Sequence, residues 1–163
     1  MQPSCTDLLP TLHVLSKHGV DFIVVGGVCG ALHGSTLPTL DLDVVHSREP
    51  ENVARLLAAL KELDARYRDP GGRIIRPTES HLKSPGHQLL MTKHGPLDVL
   101  GEIGRHHDYQ ALLPDTVTAV VSKDLRVRTL SLEALIREKE AAGRPKDKAA
   151  LAILRQTLKE RGK

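Results

Sequence analysis

The spacing of apolar residues predicts helices and short buried strands in the first half of the chain. Leucines recur at helical spacing over residues 8–15, and a longer amphipathic stripe runs from Glu51 to Leu63. Two runs that are rich in β-branched residues and too brief for helices predict strands at Val20–Val25 and Leu40–Val45. Between them, Gly27 to Leu32 predicts a short helix.

The second half of the chain predicts several strands and then two helices. The predicted strands are Ala65–Arg68, Arg73–Arg76, Gln88–Thr92, Leu97–Leu100, Thr116–Val121 and Leu125–Thr129. Ser131 is a predicted N-cap of a helix that ends at Gly143, and Pro145 begins a last helix. This order predicts an α+β fold, with a short mixed sheet flanked by helices. We expect one domain, in which residues 1–130 form the core and residues 131–163 form a helical segment packed on it.

Composition indicates an aliphatic core and leaves contact with a polyanion open. The 163 residues include no Trp, one Phe and two Tyr, so few aromatic rings are present to stack on single-stranded nucleic acid. A net charge of +3 permits contact with a polyanion without requiring it. Both cysteines are predicted to be free thiols, which suit a reducing compartment. No apolar run approaches the roughly 18–20 residues of a membrane span, so a cytoplasmic protein without a membrane partner is expected.

Two acidic residues in the second predicted strand suggest a metal site. Residues two apart on a strand share a face, so Asp41 and Asp43 are expected to project side by side. Like charges held so close repel each other, and a divalent cation such as Mg²⁺ removes that repulsion. Upstream, Gly26 and Gly27 leave backbone N–H groups open near a helix start, where a phosphate group can bind. Together these residues indicate a site that handles nucleotides.

These motifs resemble the nucleotidyltransferase superfamily of the DNA polymerase β type. The resemblance is greatest to small prokaryotic members related to the AbiEii toxins and the minimal nucleotidyltransferases. The family pattern of a hydrophobic residue, two glycines and a later Asp-hydrophobic-Asp is met by Val25-Gly26-Gly27 and Asp41-Leu42-Asp43. His33-Gly34 and the tail Arg144-Pro145-Lys146-Asp147 also match, so the resemblance covers about residues 20–155. It implies a polymerase β-like fold with a C-terminal helical segment.

The resemblance also implies roles for individual residues. Asp41 and Asp43 would hold Mg²⁺ or Mn²⁺, and Asp98 would ligate the catalytic metal or accept the proton of the attacking hydroxyl. The implied nucleotide- and phosphate-binding residues are Gly26, Gly27, Thr39, Lys139 and Lys146. For the two lysines, a cationic helix end favoured by the helix dipole is an equally good interpretation.

The implied activity is transfer of a nucleoside monophosphate from an NTP, ATP among them, to a hydroxyl group, with release of pyrophosphate. The acceptor would be an RNA end, a protein side chain or a small molecule. The family also implies a component of a toxin–antitoxin pair with a cognate partner protein. An alternative is a nucleotide-binding regulator or partner protein with attenuated catalysis, because Leu37 stands where relatives carry Arg. Arg73, Arg76 and Lys83 are candidates to replace that charge.

The nine histidines form no pattern typical of structural zinc. His33 is interpreted as a helix-end residue, and His46 is expected to face solvent. His106 and His107 are adjacent, so their side chains diverge, and a loop is expected there.

Overall fold

A computed structural model of the chain describes residues 5–36 and 41–161, and they form a sheet surrounded by helices. The helices are α1 (Cys5–Lys17), α2 (Gly26–Leu32), α3 (Pro50–Glu62), α4 (Glu79–Lys83), α5 (Tyr109–Leu112), α6 (Leu132–Ala142) and α7 (Pro145–Arg161). The strands are β1 (Phe22–Val25), β2 (Leu42–His46), β3 (Arg66–Tyr67), β4 (His87–Thr92), β5 (Gly95–Leu100), β6 (Glu102–Ile103), β7 (His107–Asp108), β8 (Thr116–Ser122) and β9 (Leu125–Leu130).

Seven of these strands form one mixed sheet in the order β3-β4-β5-β2-β1-β9-β8. The pairs β2–β5 and β1–β9 are parallel, and the other neighbours run antiparallel. Strands β6 and β7 form a separate two-stranded ribbon. The predicted α+β class and the mixed sheet are therefore confirmed.

One row of residues crosses four neighbouring strands, continues to Arg68 and organises the site. Val25 on β1 pairs with Asp43 on β2, and Asp43 pairs in turn with Asp98 on β5. Asp98 pairs with Leu89 on β4, and the backbone N–H of Arg68, just beyond β3, donates to the Leu89 carbonyl at 3.2 Å. Residues that are far apart in sequence are thus aligned by strand register alone.

Aliphatic side chains fill the core, as the scarcity of aromatic residues predicts. Helix α1 packs against α3 and β9, helix α2 against β2 and α6, and α6 against α7. Among the largest fully buried side chains are Leu12, Leu15, Ile23, Leu42 and Leu56. Every helix in the described part of the chain is too short or too polar to cross a bilayer.

The turn between α6 and α7 follows from its capping residues. The Ser131 hydroxyl accepts a hydrogen bond from the Ala134 N–H at 3.1 Å, and Gly143 ends α6 with φ of 62°. Pro145 then begins α7, where its missing N–H costs no helical hydrogen bond. Both predicted ends of α6 are confirmed, and they place basic residues on each side of this turn.

Some short elements differ from the prediction. Arg73–Arg76 was predicted as a strand, and this is wrong: the segment has no regular structure, although the Ile75 carbonyl accepts from the Tyr67 N–H at 2.8 Å. Helices α4 and α5 and the β6–β7 ribbon are absent from the sequence prediction. Each is five residues or fewer, which is too short to establish an apolar period.

Candidate active site

A cleft of about 470 Å³ lies between the strand row and the α6–α7 turn. On the strand side it is lined by Asp41, Asp43 and Asp98, which we call the acidic wall. On the helix side it is lined by Lys139, Arg144 and Lys146, which we call the basic wall. The cleft thus brings together the three predicted catalytic acids and both predicted phosphate-binding lysines.

Asp43 is the acid of the acidic wall whose hydrogen bonding is incomplete. Asp43 and Asp98 are register partners on parallel strands, and Asp41 lies just before β2. Oδ1 of Asp43 is buried without a hydrogen-bond partner among the described residues. Burial, the charge of Asp98, a hydrogen bond with Asp98 and the charge of Asp41 raise the pKa of Asp43 to about 7, against the opposing charge of Lys139. The wall as it stands favours a protonated Asp43 or a bound cation.

Gly26 is required by the close approach of Asp43. Its φ of +69° is a left-handed conformation that favours glycine, and a Cβ there would lie 2.4 Å from Oδ2 of Asp43. Gly26 lines the cleft, whereas Gly27 follows it in the first turn of α2 and is not among the lining residues. The first glycine of the pair therefore shapes the acidic wall directly.

The basic wall is built around one buried carboxylate. The side chain of Asp147 is 1% exposed and accepts hydrogen bonds from Arg144, at 2.6 Å from Nε and 3.2 Å from the backbone N–H. Nζ of Lys139 lies 3.4 Å from the other oxygen of Asp147. The bond from Arg144, together with the charge and hydrogen bond of Lys139, lowers the pKa of Asp147 despite its burial. Asp147 thereby holds two cationic side chains at the cleft.

Comparisons with known proteins find similarity in structure but not in sequence. No protein-family model and no curated protein sequence matches the chain. A candidate nucleotidyltransferase from Thermotoga maritima superposes with a TM-score of 0.56 at 16% identity, covering 94% of this chain and 91% of that one. The antibiotic-resistance factor ANT(2'')-Ia gives 0.60 at 16% identity, covering 94% and 83%. The lincosamide antibiotic adenylyltransferase LnuA, with lincomycin bound, gives 0.60 at 13% identity, covering 96% and 99%.

The chain has the polymerase β-like nucleotidyltransferase fold. The similar structures cover nearly its whole length, so the fold includes both walls of the cleft. At these identities the likeness establishes the fold and leaves the chemistry to be argued from the residues.

Within this nucleotidyltransferase fold, the acidic wall fits a divalent cation in its chemistry. Carboxylate oxygens are the ligands that Mg²⁺ and Mn²⁺ prefer, and the unpaired Oδ1 of Asp43 is a donor atom without another use. Yet no three acidic, histidine or cysteine side chains in the described ranges are already arranged as a ligand set. Arg68 instead engages two of the carboxylates: Nη2 donates to Oδ1 of Asp98, and Nη1 lies 3.7 Å from Oδ2 of Asp41.

Arg68 is the residue that sequence reasoning missed. It was placed only at the end of a short predicted strand, and a single arginine beside a turn gives no periodic signal. The information that locates Arg68 is the strand pairing. Strand β3 pairs with β4, and β4 pairs with β5, so Arg68, which follows Tyr67, lies two strands away from Asp98. Using it requires knowing that β3 joins this edge of the sheet.

The residues proposed to replace the missing arginine lie elsewhere. Arg73 pairs with Asp69 at 2.9 Å, Arg76 with Asp64 at 2.6 Å, and Lys83 with Glu79 at 2.8 Å. None of the three lines the cleft. Thr39 and Leu37 fall in residues 37–40, outside the described ranges, so the role of Thr39 stays a prediction.

The histidines are mostly structural. His33 ends α2, and its Nε2 hydrogen-bonds the Leu130 carbonyl at 2.7 Å, in line with a helix-end residue. The prediction that His46 faces solvent is wrong: it is 1% exposed, because the last three positions of β2 are all buried. Burial lowers the pKa of His46, whose Nε2 hydrogen-bonds the Leu82 carbonyl at 2.7 Å. His107 begins the short strand β7, and its Nδ1 contacts Glu138 at 2.7 Å beside the cleft.

Proposed function

We propose that the protein is a divalent-cation-dependent nucleotidyltransferase, which moves a nucleoside monophosphate from an NTP to an acceptor hydroxyl and releases pyrophosphate. The observation that carries the proposal is the cleft itself, in which Asp41, Asp43 and Asp98 of the acidic wall share one space with the three cationic side chains of the basic wall. Nucleotidyl transfer requires both: oxygen ligands for a cation at the reacting phosphate, and positive charge for the remaining phosphates.

In this proposal the acidic wall serves the reacting centre. Asp41 and Asp43 would hold Mg²⁺ or Mn²⁺, and the ion, when bound, neutralises phosphate charge and lowers the pKa of the attacking hydroxyl. Asp98 would complete the ligand set or accept the proton of that hydroxyl. The short separation between Gly26 and Asp43 keeps this acid against the backbone, and the N–H groups at the start of α2 would face the phosphates.

The basic wall would bind the triphosphate and stabilise the departing pyrophosphate. Lys139 and Arg144 are held by Asp147, so their charges are oriented before the nucleotide arrives. Lys146 lines the same cleft and would add a third charge. Preorganised charge of this kind needs little rearrangement during the reaction, which is why it stabilises a transition state well.

The acceptor remains part of the proposal. LnuA acts on a lincosamide antibiotic and ANT(2'')-Ia is an antibiotic-resistance factor, which supports a small-molecule hydroxyl as one acceptor. An RNA end or a protein side chain, as in a toxin–antitoxin pair, are the others. Apolar side chains at Leu89, Leu100, Ile103 and Leu135 line the cleft and offer the acceptor or the base a non-polar surface.

A second function is a nucleotide-binding regulator with attenuated catalysis. One observation favours it: Arg68 engages two of the acids that would hold the cation. Both functions would bind nucleotide in a metal-dependent way, so turnover is the property that distinguishes them.

A labelling assay tests the proposal. The protein would be incubated with Mn²⁺ or Mg²⁺ and each α-³²P-labelled NTP, in separate lanes with aminoglycosides and lincosamides, cell RNA, and cell protein. Transfer is expected in at least one lane and should vanish in the Asp41→Ala, Asp43→Ala double variant. Metal-dependent NTP binding by calorimetry with no labelled product in any lane would favour the regulator. Absence of NTP binding would overturn both.

A further inference from the structure

The guanidinium of Arg68 lies where a cation bound to the acidic wall would have to contact its ligands. Its Nη2 hydrogen-bonds Oδ1 of Asp98, and Nη1 lies 3.7 Å from Oδ2 of Asp41, so one side chain spans two of the three acids. An oxygen that accepts a hydrogen bond from arginine at close range is not free to ligate a metal ion from the same direction. Arginine stays charged at every physiological pH, so this competition cannot be relieved by loss of a proton.

The charge balance of the wall shows that Arg68 is only a partial counter-ion. Three carboxyl groups meet one guanidinium, and Oδ1 of Asp43 is left buried without a hydrogen-bond partner in the described part of the chain. A divalent cation brings twice the charge of Arg68 and prefers carboxylate oxygens as ligands. The unpaired Oδ1 of Asp43 and the charge of the neighbouring acids therefore favour a divalent cation over Arg68 alone.

The position of Arg68 in the fold suits a side chain that exchanges partners. It follows β3, a two-residue strand at the edge of the sheet, and precedes the turn at residues 69–72. Its side chain is 29% exposed, whereas that of Asp98 is 16% exposed. Asp98 belongs to the central strand β5 and the arginine to the edge of the sheet, so the arginine is the partner that can move.

We propose that Arg68 exchanges binding partners: it pairs with Asp41 and Asp98 until a divalent cation binds, and it then moves onto the phosphates of the nucleotide. This rests on the proposed function, because the phosphates are those of its substrate. A guanidinium binds phosphate and carboxylate oxygens with the same two-pronged geometry, so the exchange conserves its hydrogen bonds. Arg68 would supply the phosphate charge that Leu37 does not.

The exchange predicts effects of opposite sign on two ligands. Mn²⁺ alone must displace Arg68 from the acids, so Arg68→Gln should bind Mn²⁺ more tightly than the parent protein does. If the paired state is about 90% populated, its removal tightens binding about tenfold. Tripolyphosphate, added at saturating Mn²⁺, loses a partner in the same variant and should bind about tenfold more weakly. A residue that only supports the fold would weaken both.

The test uses the full-length protein and no NTP. Free Mn²⁺ is followed by its electron paramagnetic resonance signal, and tripolyphosphate binding by calorimetry, for the parent, Arg68→Gln, Arg68→Lys and the matched control Arg73→Gln. Arg73 is paired with Asp69 away from the cleft, so both affinities should stay at the parental value. Arg68→Lys keeps the charge without the fork and should fall between the parent and Arg68→Gln for Mn²⁺.

The melting temperature controls for folding. In EDTA, Arg68→Gln should melt below the parent because its acids have lost a counter-ion, and saturating Mn²⁺ should close that gap. If Arg68→Gln does not fold, Arg68→Lys takes its place with the same two directions. Mn²⁺ affinity that is unchanged or weaker in the Arg68 variants, or Mn²⁺ binding by none of the proteins, would overturn the exchange. Opposite shifts with no transfer in the labelling assay would leave the exchange standing and refute only the transferase.

Discussion

Asp43 and Asp147 are two carboxylates at one cleft whose pKa values move in opposite directions. The pKa of Asp43 is raised to about 7, chiefly by burial and then by Asp98 and Asp41. The pKa of Asp147 is lowered, chiefly by its hydrogen bond with Arg144, although its side chain is only 1% exposed. Burial opposes ionisation at both sites. The partners decide the result: Asp43 is surrounded by other acids, and Asp147 by two cations.

The difference indicates how the two walls divide their tasks. In the basic wall, Asp147 pairs with Lys139 and Arg144, so these two cations are held in place with or without ligand. In the acidic wall, Oδ1 of Asp43 has no hydrogen-bond partner among the described residues, and the charge of the three acids favours a cation from solution. One wall is preorganised for an anion, and the other depends on what binds to it.

Removing the carboxylate of Asp43 should have the largest effect on the rate of transfer. Asp43→Asn is expected to lower transfer by at least about 100-fold, because loss of a residue that merely supports a metal ligand costs about 10- to 100-fold. Stability in EDTA should stay the same or rise, since the change relieves carboxylate repulsion. Steady-state assays and thermal melts of this variant and of the exposed control Asp124→Asn would measure both. Transfer at the parental rate would refute the assignment of Asp43.

Gly26→Ala should displace the side chain of Asp43 in the acidic wall without removing a charge. The methyl group would meet Oδ2 of Asp43 at 2.4 Å, and φ of +69° adds backbone strain of about 1–2 kcal/mol. Gly72→Ala is a matched control, because its φ is +73° and no atom lies within 4 Å of the added Cβ. Both variants should lose stability in urea denaturation, and only Gly26→Ala should lose Mn²⁺ binding. Equal Mn²⁺ affinities would show that the close approach is unimportant.

Asp147→Asn tests the role of the carboxylate that pairs with Lys139 and Arg144. Losing a buried charged acceptor of this kind should cost about 2 kcal/mol of unfolding free energy. Tripolyphosphate should also bind more weakly, because Lys139 and Arg144 lose their orientation. The control Glu140→Gln breaks an exposed pair with Arg155 and should cost less than about 1 kcal/mol. Denaturation and calorimetry measure the two effects, and unchanged tripolyphosphate affinity would argue against a positioning role for Asp147.

The dependence of stability on pH should separate the two acids by sign. From about pH 4 to pH 7 the folded protein keeps the Asp43 proton that the unfolded chain has lost, so Asp43 lowers stability progressively as pH rises. Asp147 contributes stability above its usual pKa, and that contribution disappears as pH falls through its lowered pKa in the folded protein. In EDTA, the advantage of Asp43→Asn over the parent should therefore grow toward pH 7, whereas the deficit of Asp147→Asn should shrink in acid. Parallel curves for the two variants would contradict the opposite shifts.

The sequence predicts the parts of this molecule that depend on local rules. Ser131 and Gly143 mark the ends of α6 because capping is decided within a few residues. The grouping of Asp43 with Asp98 was implied by the family resemblance, and strand register brings them together.

What the sequence did not predict depends on distant pairing. Arg68 reaches the acids only because β3 joins the far edge of the sheet, and His46 is buried only because β2 is a central strand. Neither the contact of Arg68 with the acids nor the burial of His46 produces a sequence pattern within a window of ten residues. Asp147 is buried where α7 packs on α6, and that packing brings Lys139 of α6 within 3.4 Å of it, a contact between two helices that no local pattern predicts.

The parallel pairing of β1 with β9 has a consequence for the order of folding. The Thr129 hydroxyl donates to the Val24 carbonyl at 3.1 Å across a separation of 105 residues, and the basic wall follows directly after β9. The acids lie on strands that pair over much shorter separations, so their sheet can assemble while that long loop is still open. We therefore expect the cleft to be completed late, when β9 docks beside β1 and carries α6 and α7 into position. A folding intermediate without β9 would expose its acids to water and would have no place for a triphosphate.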